Sequence, residues 1–157
     1  MTHSVTVRPA RMDDLPVLAE FGSALAAQHG AYDPRRFQVP SVQEFSSFFG
    51  AELANADAVT LIAQEEERIV GYAFLRVEPP SVVDLAEETM WLHDLYIHPA
   101  ARGRGAGRAL LQRVIDLTRQ RGGKRLLLKV SPSNAAAART FEKIGFRATM
   151  LEMQLDL

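Results

Sequence analysis

Cysteine is absent from all 157 residues, which excludes a disulfide framework, a thiolate metal site and a cysteine nucleophile. An excess of either charge is missing too. Lys and Arg number 18 against 19 Asp and Glu, for a formal net charge of -1, so the chain lacks the basic excess of a general nucleic-acid footprint. No apolar run approaches the roughly 20 residues that span a bilayer. The opening residues, MTHSVTVRPARMDD, hold no apolar core of the signal-peptide kind. Histidines stand only at His3, His29, His93 and His98. None makes an i, i+4 pair on an expected helix, so no metal site is expected. These absences predict a cytoplasmic protein without metal, membrane or nucleic-acid partners. Its 47% hydrophobic content suits one ordinary globular domain over residues 1–157.

What the chain does hold is concentrated in WLHDLYIHPAARGRGAGRALL, from Trp91 to Leu111. Trp91 to Ile97 reads as a strand, and Pro99 stops it because proline has no N–H for a ladder. Gly103, Gly105 and Gly107 then interleave with Arg102, Arg104 and Arg108. From Ala106 onward, Ala106, Leu110, Val114 and Leu117 recur at helical spacing. A glycine-rich turn feeding a helix start leaves N–H groups unpaired beside the positive end of the helix dipole, a combination that holds phosphate oxygens. The arginines add positive charge. The stretch predicts a pyrophosphate-binding loop.

Around it, Val5 to Arg8 alternate as a short strand closed by Pro9. Asp13 or Asp14 caps a helix through roughly Gln28, with Pro16 in its first turn. The loop HGAYDPRRFQVPS follows, and Ser41 caps a second helix, about Val42 to Ala54, with Phe45, Phe48, Phe49 and Leu53 on a packing face. Val59 to Ala63 and Ile69 to Val77 form an antiparallel hairpin through Gln64 to Arg68. The turn EPPSVVDLAEET leads into the Trp91 strand, and Gly122-Gly123 ends the helix after the loop. Leu126 to Val130 reads as a strand parallel to the Trp91 strand, since a helix crosses between them. Ser131 or Ser133 caps a short helix, Asn134 to Ile144, that Gly145 ends, and Phe146 to Leu157 forms a last strand or strand pair. The fold class is α/β (α+β in some schemes), a mixed and mostly antiparallel sheet of about seven strands flanked by about four helices.

Arg102, Gly105 and Gly107 satisfy the pattern Arg/Gln-x-x-Gly-x-Gly/Ala, behind a strand and ahead of a helix. Beyond a further strand come Asn134, Ala137, Phe141, Gly145 and Phe146 in NAAAARTFEKIGF. Together these blocks resemble the GNAT superfamily of acetyl-CoA-dependent N-acetyltransferases, by motif from about Trp91 to Phe146 and by element order over nearly the whole chain. The resemblance implies a single domain that transfers acetyl from acetyl-CoA to a primary amine of a small molecule or peptide, by direct attack in a ternary complex. It implies that the amides of Arg102, Gly103, Arg104, Gly105, Ala106, Gly107 and Arg108 hold the coenzyme pyrophosphate. The pantetheine arm would pair with the strand segment Leu95-Tyr96-Ile97, with Asn134 and Phe141 beside the cofactor. An N–H near Leu95 would meet the thioester oxygen, a donor worth ~3 kcal/mol. A homodimer is an open expectation from the same resemblance.

The family's usual acid is a tyrosine in the later helix, and Phe141 stands at that position. A coenzyme thiolate, with a thiol pKa of about 8.5, is a tolerable leaving group without it. Tyr96 is a stand-in acid, although alternation turns it away from Leu95 and Ile97. The base must take a proton from an ammonium of pKa about 10. Strict alternation puts His93 on the side of Leu95 and Ile97, at the place of a glutamate proposed as base in polyamine-type members of the family; its other reading is a histidine bonded to the sheet. Asp94 is expected to face the opposite side and to anchor a helix or turn. His29, Tyr32 and Asp33 lie where the acceptor site of such proteins is bordered, or are ordinary loop residues. Glu78, Asp84, Glu87 and Glu88 either draw a cation or form a solvated face, and Phe45, Phe48 and Phe49 read as core. The alternative function is a non-catalytic acyl-CoA-binding module.

Overall fold

Residues 4–157 are described by the structure, a computed structural model; His3 lies outside them. Five strands form one sheet in the order β1-β2-β3-β4-β5. They are β1 (Val5–Pro9), β2 (Ala58–Glu65), β3 (Arg68–Glu78), β4 (Thr89–Ile97) and β5 (Leu126–Leu128). The first four run antiparallel and β5 lies parallel to β4. The helices are α1 (Leu15–Tyr32), α2 (Val42–Glu52), α3 (Ala106–Gln120) and α4 (Ala135–Ile144).

Period-2 alternation divides the sheet between two cores. On one face Leu61, Ala73, Leu75 and Leu92 meet the α3 residues Leu110, Leu111 and Val114. On the other, Ile62, Tyr72, Phe74 and Tyr96 meet Leu18 and Phe21 of α1 and Phe49 of α2. Leu61, Leu110 and Val114 are fully buried, each contributing roughly 1.5–3 kcal/mol relative to exposure. The start of α2 is fixed by a reciprocal cap. Ser41 Oγ accepts from the Glu44 N–H at 3.2 Å, and the Glu44 carboxylate accepts from the Ser41 N–H at 2.7 Å. Gly71 allows β3 and β4 to close, since a Cβ there would lie 2.5 Å from the Tyr96 carbonyl oxygen.

The mixed, mostly antiparallel α/β class and the four helices are as expected, but the sheet has five strands rather than about seven. Phe146 to Leu157 joins no ladder. This segment is instead tied through side chains, Glu152 to Arg36 and Lys129 and Asp156 to Arg35. β5 is also shorter than expected, ending at Leu128 rather than Val130. The first helix runs on past Gln28 to Tyr32, because Gly30 does not break it. A Cβ at Gly30 would sit 2.9 Å from Val39, so the glycine lets the following loop pass closely. The cap of α4 is Asn134, whose Oδ1 accepts from the Ala137 N–H at 3.3 Å, and neither Ser131 nor Ser133.

Candidate active site

The pairing of β3 with β4 slips by one residue. Phe74 lies opposite Asp94 and Leu75 opposite Leu92, leaving His93 as an extra residue in β4. Such a bulge resets alternation. Met90, Leu92, Leu95 and Ile97 therefore share the α3 face, while His93 and Asp94 both turn to the α1–α2 face. The expectation that His93 shares a side with Leu95 and Ile97 is corrected by this insertion. So is the separation of Asp94 from His93. Tyr96 does point away from Leu95 and Ile97, with its ring buried and 5.0 Å from that of Phe21.

Below the bulge, β4 loses its second neighbour. Ladder partners to β5 end at Leu92 and Leu128, while β4 continues to Ile97. The His98 N–H donates to the Val70 carbonyl at 2.8 Å. Backbone alternation therefore turns the peptide groups of Ile97 and Leu95 outward, toward the gap between β4 and β5. In keeping with this, the Ile97 carbonyl accepts from Arg102 Nε at 3.0 Å rather than from a strand.

The glycine-arginine loop stands at the mouth of that gap. Gly103 and Gly105 hold φ of 76° and 96°, values that side chains rarely adopt. A Cβ on either would meet nothing within 4 Å, so the loop presents bare backbone to open space. The first helical bond of α3 is made by Ala109 to the Gly105 carbonyl at 2.9 Å. The N–H groups of Ala106, Gly107 and Arg108 precede it and point out of the helix start. Arg104 is drawn aside, donating to the Ala100 carbonyl and lying 3.3 Å from Glu65, whereas Arg102 and Arg108 are exposed. A row of free amides, no obstructing side chains and flanking cations fit a pyrophosphate. Asn134 spends its oxygen on the α4 cap, which leaves its amide N–H₂ to donate elsewhere. Phe141 is half-buried, its ring 5.7 Å from that of Phe146.

On the α1–α2 face an open pocket of about 480 Å³ is lined by Pro40, Glu44, Phe45, Phe48, Phe74, Arg76, His93 and Asp94. Asp94 Oδ2 accepts from the hydroxyl of fully buried Tyr72 at 2.8 Å. Burial pushes the Asp94 carboxyl above its ordinary range, against the opposing pull of the Tyr72 hydrogen bond and of His93 and His29. His93 Nε2 lies 3.0 Å from Glu78 Oε1. Arg76 donates to Glu52, which α2 supplies. His29 donates from Nδ1 to the Leu25 carbonyl at 3.0 Å and packs edge-on to Phe37. Phe49 is core as expected, but Phe48 is 39% exposed and lines the pocket with Phe45.

Residues 23–146 match the model of the acetyltransferase (GNAT) family. The chain belongs to the GNAT acetyltransferase family. Among similar proteins, the uncharacterized N-acetyltransferase YhfO of Bacillus subtilis is 29% identical over 143 residues, 90% of this chain and 89% of that one. The glucosamine 6-phosphate N-acetyltransferase of Trypanosoma brucei brucei is 32% identical over 117 residues, 69% and 77% of the two chains. The fold is shared with a predicted acetyltransferase from Clostridium acetobutylicum, solved with acetyl-CoA, at a TM-score of 0.74 and 22% identity over 98% of this chain and 96% of that one.

This GNAT acetyltransferase is an acyltransferase, and no helix among its described residues is long and apolar enough to cross a membrane. Of the residues singled out from sequence, His93 and Asp94 meet in the pocket at the bulge, Arg102 to Arg108 form the loop that follows Leu95 and Ile97, and Tyr96 and His29 lie apart from both, packed against Phe21 and Phe37. Tyr72, Phe74, Arg76 and Glu44 had no motif to mark them. The bulge did leave a trace. Apolar Met90, Leu92, Leu95 and Ile97 are spaced two, three and two residues apart, and the three-residue step marks the extra residue.

Proposed function

We propose that this GNAT acetyltransferase moves acetyl from acetyl-CoA to a primary amine by direct attack within a ternary complex, as a single domain over residues 1–157. One observation carries this: the parting of β4 from β5 opens outward-facing peptide groups beside a loop of unpaired amides. Acetyl-CoA, when bound, supplies an acetyl thioester open to attack by nitrogen. The amides and cations from Arg102 to Arg108, with Asn134, would hold its pyrophosphate end. Leu95 and Ile97 would pair with its extended arm, and the Leu95 N–H would donate to developing negative charge on oxygen.

The pocket at the bulge would take the amine. Asp94 offers its free Oδ1 to the ammonium while Tyr72 holds Oδ2. His93 donates Nε2–H to Glu78, which leaves Nδ1 as the base that removes the amine proton. Tyr96, with its ring buried against Phe21, is not assigned the acid role, and the thiolate departs without an enzymic acid. A homodimer belongs to the same proposal. Leu151, Met153 and Leu155 are 79%, 85% and 81% exposed in a segment that joins no ladder, and a second copy would bring the identical alternating segment for pairing.

Calorimetry with acetyl-CoA, followed by mass spectrometry of a mixed amine panel, tests this directly. Binding with acetylated product is expected. No binding overturns the proposal, and tight binding without any product reduces the protein to the acyl-CoA-binding module. In the same assay His93→Ala is expected to lower turnover by about a hundredfold and to flatten the pH profile; an unaltered profile removes His93 as base.

A further inference from the structure

The pocket at the bulge has a half-buried carboxylate seat for a cation, Asp94, and a long aromatic wall. Of its acidic neighbours, Glu44 is engaged by the Ser41 N–H and hydroxyl at 2.7 and 2.8 Å, Glu52 by Arg76, and Glu78 by His93. Of the two carboxylates that line the pocket, each keeps one oxygen without a partner, Oε1 on Glu44 and Oδ1 on Asp94; Glu44 is exposed, whereas Asp94 is half-buried against fully buried Tyr72 and is the inner seat. Arg76 lines the same pocket, but its guanidinium is already paired with Glu52, so it gives little hold on a phosphate or a sulfate.

The rest of the pocket is apolar. Phe48 packs edge-on to Phe74 at 5.3 Å, Phe74 lies 5.8 Å from His93, and His93 stacks on Trp91 at 6.2 Å. With Phe45 and Pro40 opposite, these rings form a continuous wall that leads away from Asp94. Aromatic rings of this kind favour a flat or chain-like apolar group, and their faces also attract an ammonium.

We infer that the acceptor is a primary amine with an apolar, preferably flat, body: its ammonium on Asp94 and its body along Phe48, Phe74 and His93. This rests on the acetyl-transfer proposal above and adds the substrate class. Phosphorylated amino sugars bring charge and hydroxyls to an aromatic wall with no free cation behind it.

The test is kcat/KM, by coenzyme release and product mass, for phenethylamine and hexylamine against spermidine, kanamycin and glucosamine 6-phosphate. The apolar monoamines are expected to lead by at least about tenfold. Phe48→Ala, at an exposed position that leaves the core intact, is expected to raise KM for phenethylamine by about tenfold with kcat little changed. A parallel arm follows emission from Trp91, the single tryptophan, which should respond to phenethylamine in the presence of coenzyme A and not to spermidine. If spermidine, kanamycin or glucosamine 6-phosphate is the better substrate, the substrate class is overturned while acetyl transfer stands. If acetyl-CoA binds and no amine is acetylated, both fall. An unchanged phenethylamine KM in Phe48→Ala overturns the aromatic wall as the recognition element.

Discussion

Asp94 and Asp14 show how one side-chain type serves opposite ends. Burial raises the Asp94 carboxyl above its ordinary value, and the unfolded chain leaves it near about 3.9. Between those two values the folded protein holds the proton more tightly, so stability falls as pH rises through that window and stays lower above it. Asp94→Asn removes this loss and keeps an acceptor for the Tyr72 hydroxyl. Its melting temperature at pH 7 is therefore expected to be equal or higher, while kcat/KM for the amine falls about a hundredfold and acetyl-CoA affinity holds. Asp14 is the reverse case. Arg8 grips it through two nitrogens at 2.7 and 2.8 Å, and the Arg11 N–H adds a third bond at 2.7 Å. These interactions, with that of Arg8 the largest, hold its carboxyl below the ordinary range. The resulting stability is present above about pH 3.9 and is lost as pH falls through the folded value. Asp14→Ala is expected to cost about 2 kcal/mol at pH 7 in a denaturant titration, a difference that should shrink in acid.

Among the elements, those with local causes were legible in the sequence. Ser41 announced the start of α2, Gly145 announced the end of α4 at φ 113°, and the glycine-arginine loop announced a helix start with free amides. The bulge in β4 left only the three-residue step from Leu92 to Leu95, which strict alternation does not accommodate. One extra residue moved His93 to the other face and joined it to Asp94 in the same pocket. Nor were Glu78 and Tyr72 legible as partners of that pair, since such contacts depend on the register between strands rather than on spacing within one. The phosphate loop is the element whose chemistry is simplest to break. Gly105→Val forces a branched side chain into φ 96° and fills the open side of the cradle. Acetyl-CoA affinity is expected to fall at least about tenfold by calorimetry, with the circular dichroism spectrum retained. Unchanged affinity would refute the loop's role.

In the whole molecule, the hairpin of β2 with β3 and the parallel placement of β5 beside β4 were readable in advance. The C-terminal segment was not. Its alternating pattern, with Leu151, Met153 and Leu155 against Glu152, Gln154 and Asp156, reads as a strand. Within one chain only its charged side finds partners, at Arg35, Arg36 and Lys129. A pattern made for pairing shows that a segment can pair without saying with which edge. Replacing Leu151, Met153 and Leu155 together by Ser is expected to convert a dimer to a monomer in sedimentation velocity, with the melting temperature of the dilute protein little altered. A wild-type protein that sediments as a monomer at tens of micromolar would refute the dimer.

The wedge between β4 and β5 leaves the sheet one member short, and whatever lies along Leu95 and Ile97 becomes part of the architecture rather than a visitor to it. On the proposal above, a small thioester-bearing molecule in that place would lend its own hydrogen bonds to the fold. At a concentration of 100 times its dissociation constant it adds about 2.7 kcal/mol of resistance to unfolding. Deuterium uptake at the amides of Leu95 and Ile97 should then slow on loading before uptake at other positions changes. In a cell whose acyl supply runs low the enzyme would soften from this seam outward, so that its lifetime against proteases tracks the supply of its own donor.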